Sequence, residues 1–182
     1  AYEATVLDGA VELRPGVLRL MSEALAQGLR LAIATTTSPV NIAALLKRAI
    51  GPDWRTHFAA IGDASTAPLK KPHPQVYQQM LTALQLPAGA CLAFEDSSNG
   101  LRAALAAGLW TAVTPTYWSE DGDFSGASLL LPDLGDPAYG DDGLDALACA
   151  WSAARIAAGT ALTLPAGEVP SDDAGRPMKI CA

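Results

Sequence analysis

The chain alternates short apolar runs with longer segments in which apolar residues recur at helical spacing. The apolar runs have the length and composition of buried strands, and they lie at 29–35, 58–61, 91–94, 109–114 and 128–131. The helical segments lie between them, at 17–25, 39–50, 72–84 and 97–107. Strands that alternate with helices are typical of parallel β–α units, so the pattern predicts an α/β fold.

Local signals support these boundaries and divide the chain. Ser38 followed by Pro39 predicts an N-cap and a first helical turn, and Gly28 predicts a helix end. The α/β core is expected to cover residues 14–137. A C-terminal helix is expected at 138–158, and an irregular tail without periodicity at 159–182. With 182 residues the chain is long enough to bury a sizeable core.

Composition and charge argue against several classes of function. The formal net charge is −7 and the isoelectric point is about 4.6, whereas nucleic-acid binding needs a basic face. No apolar run is long enough to span a membrane, and no signal peptide is recognisable. Three cysteines without ligand spacing argue against a disulfide framework, and two histidines exclude a His-rich metal site. We expect a soluble, cytoplasmic protein.

The strand-like run that ends at Phe94 is followed by two adjacent carboxylates, Glu95 and Asp96. Open α/β sheets bind ligands at the carboxyl ends of their strands, and neighbouring acids favour a counter-charge such as Mg²⁺. The alternative is a helix N-terminus with both acids in water, because acidic residues are also favoured there. Taken alone, the pair supports both interpretations equally.

Two further polar clusters follow strand-like runs. Residues 35–38 read Thr-Thr-Thr-Ser at a helix start, where hydroxyls and free backbone N–H groups predict an anion site suited to phosphate. Simple capping is the alternative, although it needs only one hydroxyl. Lys70 and Lys71 precede a proline-rich helix start, where a fixed lysine can neutralise a phosphate or hold a carboxylate. A solvated lysine pair is the alternative for that segment.

The three clusters are expected to meet, because the carboxyl ends of parallel strands share one edge of a sheet. Hydroxyls, an ammonium and carboxylates at one edge suit Mg²⁺-assisted phosphoryl transfer. The combination is far more specific than any one cluster.

The order of the clusters resembles the motifs of the haloacid dehalogenase superfamily of phosphohydrolases. The likeness is greatest to its CbbY-like branch, which also resembles the β-phosphoglucomutases. The family's second motif is matched by LAIATTTS with Thr35 in the key place, and its third by KKPHPQVY with Lys71. The fourth motif is matched by FEDSSNG with Glu95 and Asp96, and RPGV matches the leader before the second motif. The resemblance covers roughly residues 2–137.

The resemblance implies Mg²⁺-dependent hydrolysis of a sugar phosphate through an aspartyl-phosphate, with xylulose 1,5-bisphosphate as a candidate substrate. Thr35 and Lys71 would act in catalysis: Thr35 and Thr36 bind the transferring phosphate, and Lys71 stabilises its charge. Asp96 would ligate Mg²⁺, with Glu95 as a second contact. The implied fold is a Rossmann-like parallel sheet with helices on both faces.

The family's first motif, an apolar strand followed by Asp-x-Asp, has no clear match. Asp121 and Asp123 have the spacing but follow a polar loop, and Asp8 lacks the second aspartate. We therefore expect residues 1–13 to be a linker from a missing cap domain and the sheet to be incomplete at its central first strand. An N-terminal segment of the same protein would supply the nucleophile, and the isolated chain is expected to be inactive.

Three alternatives stay open at this point. A phosphomutase of the β-phosphoglucomutase type would share the same three motifs. A non-catalytic remnant would bind phosphate or metal without turnover. An ordinary α/β interaction domain would have no site.

Overall fold

The computed structural model describes residues 13–131 of the chain. The helices are α1 (Val17–Ala26), α2 (Pro39–Ile50), α3 (Gln75–Leu84) and α4 (Ser98–Ala106). The strands are β1 (Leu31–Ala34), β2 (Phe58–Gly62), β3 (Leu92–Glu95), β4 (Trp110–Val113) and β5 (Leu129–Leu130). Short 3-10 helices at Trp54–His57 and Ala88–Ala90 precede β2 and β3.

The chain divides into two compact units, Ala1–Tyr139 and Gly140–Ala182, and all described residues belong to the first. The predicted linker apart from Leu13, the predicted C-terminal helix at 138–158 and the predicted tail at 159–182 lie outside the described residues. In the described part of the chain, no helix has the length and apolar character that crossing a membrane requires.

The strands pair in parallel, as the alternating pattern predicted. β1 pairs with β2, β3 with β4, and β4 with β5. Within residues 13–131 these strands form two sheets, β1–β2 and β3–β4–β5, and no pairing joins β1 to β3. The break falls where the sequence predicted an incomplete sheet, between the strand before Thr35 and the strand that ends at Glu95. The α/β fold class is confirmed.

Helices pack against both faces of β1. Ile33 packs against a cluster of buried side chains that includes Ile42 and Leu46 of α2. Its neighbour Ala34 packs against a second cluster, which contains Val76 of α3. Successive side chains of a strand point to opposite faces, so the two clusters lie on opposite sides of the strand. The second cluster also contains Ala93 of β3, and therefore connects the two sheets.

Serine side chains cap the starts of α2 and α4, and the cap at Ser38 was predicted. Ser38 Oγ accepts a hydrogen bond from the N–H of Asn41 at 3.4 Å, and Ser97 Oγ accepts one from Gly100 at 3.2 Å. Two boundaries differ from the sequence prediction. Helix α3 begins three residues late, because the residue before a proline is disfavoured in the helical region and His73 precedes Pro74.

Strand β1 begins at Leu31 rather than at residue 29. The N–H of Leu29 donates to the carbonyl of Ala24, so Leu29 still belongs to the end of α1. Gly28 adopts a φ of +75° in that turn, which a side chain would disfavour.

Candidate functional site

Lys71 lies between the carboxyl ends of β1 and β3. Its Nζ donates to the carbonyl oxygen of Ala34 at 2.8 Å and to Glu95 Oε1 at 2.5 Å. Ala34 ends β1 and Glu95 ends β3, so one side chain spans the place where these strands are not paired. The side chains of Lys71 and Glu95 are 15% and 5% exposed, which shields the ion pair from water. The predicted meeting of Lys71 and Glu95 at one sheet edge is present in the structure.

Tyr77 of α3 contacts both members of this pair. Its hydroxyl donates to Glu95 Oε1, and its ring centroid lies 4.9 Å from Lys71 Nζ. Burial raises the pKa of the Tyr77 phenol, and the negative charge of Glu95 raises it further. Tyr77 is therefore a neutral donor. The hydrophobic pattern indicated Tyr77 only as part of the helical segment at 72–84. A tyrosine at an apolar position of a helix could have indicated a polar partner, because a buried phenol needs a hydrogen bond.

The two adjacent acids have different surroundings. The side chain of Glu95 lies on the same buried face of β3 as Ala93, and the backbone of Gly100 packs against its carboxylate. Asp96 is exposed, and its carboxylate makes no hydrogen bond within residues 13–131. The alternative of two solvated acids is therefore wrong for Glu95 and describes Asp96. A cation has access to Asp96, whereas Glu95 is the counter-ion of Lys71 in this structure.

Thr35 adjoins Lys71 through the end of β1. Its N–H donates to Gly62 in the β1–β2 pairing at 3.0 Å, and its Oγ1 accepts from the N–H of Thr37 at 3.2 Å. The preceding residue, Ala34, holds the Lys71 ammonium through its carbonyl. Thr36 is half-buried. The structure thus places Thr35 directly after the residue whose carbonyl binds Lys71, and the role of the hydroxyls in phosphate binding stays a prediction.

The loop after β4 is fastened to the same edge. Ser119 Oγ donates to the backbone carbonyl of Asp96 at 2.5 Å and accepts from the N–H of Thr116 at 2.9 Å. The Arg14 guanidinium donates to the carbonyl and the hydroxyl of Thr114, and to the carbonyl of Pro115 at 3.0 Å. Arg14 and Ser119 were both missed as supports of this edge, because their partners are remote in sequence.

The structure separates the two lysines and leaves the Asp-x-Asp match in solvent. Lys70 is exposed, so the solvated alternative holds for Lys70 and not for Lys71. Asp121 and Asp123 are exposed in the turns after β4, as predicted. Hydrogen bonding from Ser125, in the same turn, lowers the pKa of Asp123 and so favours its ionised carboxylate.

Asp96 fits part of a magnesium ligand set, whereas the carboxylate of Glu95, the predicted second contact, is occupied by Lys71 and Tyr77. Carboxylate oxygens are the donors that Mg²⁺ prefers, and the ion commonly keeps several waters and binds substrate phosphate. Within residues 13–131 no group of three or more His, Cys, Asp or Glu side chains could hold a metal ion. A bound ion would take its remaining ligands from water, substrate phosphate or residues outside 13–131.

The sequence of the chain matches two protein-family models. A model of the haloacid dehalogenase-like hydrolase family matches residues 1–108, which is more than half of the chain. A second model, for a protein family of unknown function (DUF429), matches residues 96–169.

Similar proteins include CbbY. The plasmid CbbY protein of Cupriavidus necator is 58% identical over 137 residues, which cover 75% of this chain and 54% of that protein. A crystal structure of a CbbY variant from Rhodobacter sphaeroides in complex with xylulose-(1,5)bisphosphate is 40% identical with a TM-score of 0.71. That match covers 74% of this chain and 60% of the other.

A β-phosphoglucomutase of Clostridium difficile has a TM-score of 0.65 at 16% identity, over 85% of this chain and 64% of the other, and shares the fold. The chain thus spans a little more than half of the length of the CbbY relatives it matches. The family-model match over residues 1–108 shows that the chain belongs to the haloacid dehalogenase-like hydrolases.

Proposed function

We propose that this chain forms part of a phosphatase that hydrolyses a sugar phosphate. A sugar bisphosphate such as xylulose 1,5-bisphosphate is the first candidate substrate, because a 40% identical CbbY binds it. The observation that carries the proposal is the position of Lys71. Its ammonium lies at the ends of two strands, between the Ala34 carbonyl and the Glu95 carboxylate, where it can meet a phosphoryl group.

The residues around Lys71 suggest a division of roles. Thr35 and Thr36 offer hydroxyls to the phosphoryl oxygens at the end of β1. Lys71 stabilises the negative charge that these oxygens carry during transfer. Asp96 would hold Mg²⁺, which when bound would neutralise phosphate charge, while Glu95 holds the Lys71 ammonium. Ser119 holds the backbone of Asp96 in place by its hydrogen bond at 2.5 Å.

We further propose that the nucleophile lies outside these 182 residues. The Asp-x-Asp match at Asp121 and Asp123 is exposed in a loop and is not preceded by an apolar strand. Asp8 lies outside the described residues. The 182-residue chain alone is therefore expected to release no phosphate from a sugar phosphate. Turnover by that chain that disappears in Asp8→Asn or Asp121→Asn would overturn this part of the proposal.

Phosphate release from sugar phosphates by the intact protein, with and without Mg²⁺, tests the function. We expect Lys71→Met, Thr35→Val and Asp96→Asn each to lower kcat/KM by about 100-fold or more, because each removes a contact to transferring charge. Lys70→Met is the matched control, since Lys70 is the exposed neighbour of Lys71 and should change little.

The products separate the alternatives. An isomerised sugar phosphate without released phosphate would identify a mutase. Mg²⁺ binding that depends on Asp96, without any turnover, would identify a non-catalytic module. Phosphate release that Lys71→Met leaves unchanged would contradict the proposed site.

A further inference from the structure

Tyr77 contacts both charges of the buried ion pair through different parts of one side chain. The hydroxyl donates to Glu95 Oε1, the oxygen that Lys71 Nζ also reaches at 2.5 Å. The face of the ring lies 4.9 Å from the same ammonium. The polar end of tyrosine therefore stabilises the anion, while its aromatic face stabilises the cation.

The backbone that carries Tyr77 is fixed by the core. Tyr77 lies in α3, whose side chains Val76, Met80 and Leu84 are buried. Tyr77 is itself only 7% exposed and belongs to the cluster that contains Ala93 and against which Ala34 packs. A side chain anchored in this way brings its hydroxyl to a defined point. By contrast, the long side chains of a lysine and a glutamate have many rotamers of their own.

Packing alone does not account for the hydroxyl. Phenylalanine would fill the same space, and burying a phenol is unfavourable unless it finds a partner. The partner here is Glu95. We propose that Tyr77 is a positioning residue, which holds the Glu95 carboxylate so that the Lys71 ammonium stays between the ends of β1 and β3. The expected effect on kcat rests on the proposed phosphatase function, whereas the contact between Tyr77 and Glu95 does not.

Three variants separate the contacts. Tyr77→Phe removes only the hydroxyl, and Tyr77→Leu also removes the ring. Tyr117→Phe makes the same chemical change at a tyrosine that is 77% exposed, and is the control.

The first readout is the Lys71 ammonium in ¹⁵N-lysine-labelled intact protein, assigned by its loss in Lys71→Met. Hydrogen bonds and burial should make its proton exchange with water slow in the wild type. We expect exchange to become several-fold faster in Tyr77→Phe and too fast to observe in Tyr77→Leu, with no change in Tyr117→Phe. Unchanged exchange in Tyr77→Phe would overturn the inference, whatever the activity of the protein.

The second readout is the split between kcat and KM. We expect kcat of Tyr77→Phe to fall about tenfold while KM stays within about twofold, because the charge is misplaced in the transition state rather than lost. A purely structural role would lower the unfolding midpoint and leave both kcat and ammonium exchange of the folded protein unchanged. If the wild type hydrolyses no sugar phosphate, the proposed function fails, and the exchange measurement still decides the contact.

Discussion

The backbone of Gly100 lies against the carboxylate of Glu95, so closely that a Cβ at position 100 would overlap Glu95 Oε2. Gly100 is inside α4, where alanine would ordinarily stabilise the helix by about 0.5–1 kcal/mol. Here the methyl group must displace the carboxylate or the helix. We expect Gly100→Ala to lower the free energy of unfolding by about 1–3 kcal/mol, measured by urea denaturation.

Gly89 provides the matched control. A Cβ at that position would meet nothing within 4 Å, and its backbone does not require glycine. Gly89→Ala should therefore leave the free energy of unfolding within about 0.5 kcal/mol of the wild type. Equal stability of Gly100→Ala and Gly89→Ala would show that the Glu95 carboxylate does not occupy the space beside Gly100.

The sequence could predict that Lys71 and Glu95 lie at one edge, because parallel strands bring their carboxyl ends together. Glu95 ends β3, and Lys71 lies in the loop after β2. The different surroundings of Glu95 and Asp96 were also accessible in principle, since adjacent residues of a strand point to opposite faces. The two acids were instead treated as one pair.

Other contacts could not be found from pattern, because they join residues far apart whose side chains must fit in three dimensions. Tyr77 is 18 residues from Glu95, and Arg14 is 100 residues from Thr114. The buried Trp54, 2% exposed in a 3-10 helix, belongs to no periodic segment and was not predicted as core. Periodicity reports which face of an element is buried, and says nothing about the partner that covers it.

Breaking the Lys71–Glu95 pair from one side should be strongly destabilising. Lys71→Met leaves the Glu95 carboxylate buried with Tyr77 as its remaining donor, and an unpaired buried charge costs about 3–5 kcal/mol. In the double variant Lys71→Met/Glu95→Gln the charge is gone as well. We expect urea denaturation to show that the double variant recovers a large part of the stability lost in Lys71→Met.

The exposed pair of Arg19 and Glu23 is the control for this experiment. Their charged atoms are 3.8 Å apart, and their side chains are 39% and 41% exposed. Glu23→Gln should change the free energy of unfolding by less than about 0.5 kcal/mol. If Lys71→Met were as mild as Glu23→Gln, the buried ion pair would not be present in solution.

Asp63, just after β2, should make stability depend on pH. Its Oδ1 accepts from the Ser65 hydroxyl at 2.5 Å, from the Ser65 N–H at 2.8 Å and from the Thr66 N–H at 3.3 Å. The hydrogen bond from the Ser65 hydroxyl, above all, holds the pKa of Asp63 below its ordinary value. The lowered pKa stabilises the fold above the ordinary value of about 3.9, and the stabilisation is lost as pH falls through the folded pKa.

Asp63→Asn tests this dependence, because the amide oxygen can still accept the backbone N–H groups while the charge is removed. We expect Asp63→Asn to be less stable than the wild type at neutral pH, and the difference to shrink as the pH falls below about 5. Asp121→Asn, at an exposed carboxylate, is the control. A difference between Asp63→Asn and wild type that stays constant down to about pH 2 would contradict the assigned cause.

Arg14 joins the segment before α1 to the loop after β4, and lysine should not replace it. The planar guanidinium donates to the Thr114 carbonyl and hydroxyl and, at 3.0 Å, to the Pro115 carbonyl, a set of contacts that one ammonium cannot reproduce. We expect Arg14→Lys to destabilise the protein by about 1–3 kcal/mol in urea denaturation.

Arg14→Lys should also speed up hydrogen exchange at the Thr116 N–H, which donates to Ser119 in the same loop. Arg102→Lys is the control, since exposed Arg102 donates its hydrogen bond to Asn99, one turn away on α4. Ser119 also donates to the backbone carbonyl of Asp96, the candidate magnesium ligand. Faster exchange at Thr116 in Arg14→Lys but not in Arg102→Lys would therefore link Arg14 to the position of Asp96. Equal exchange in the two variants would show that the loop is held without Arg14.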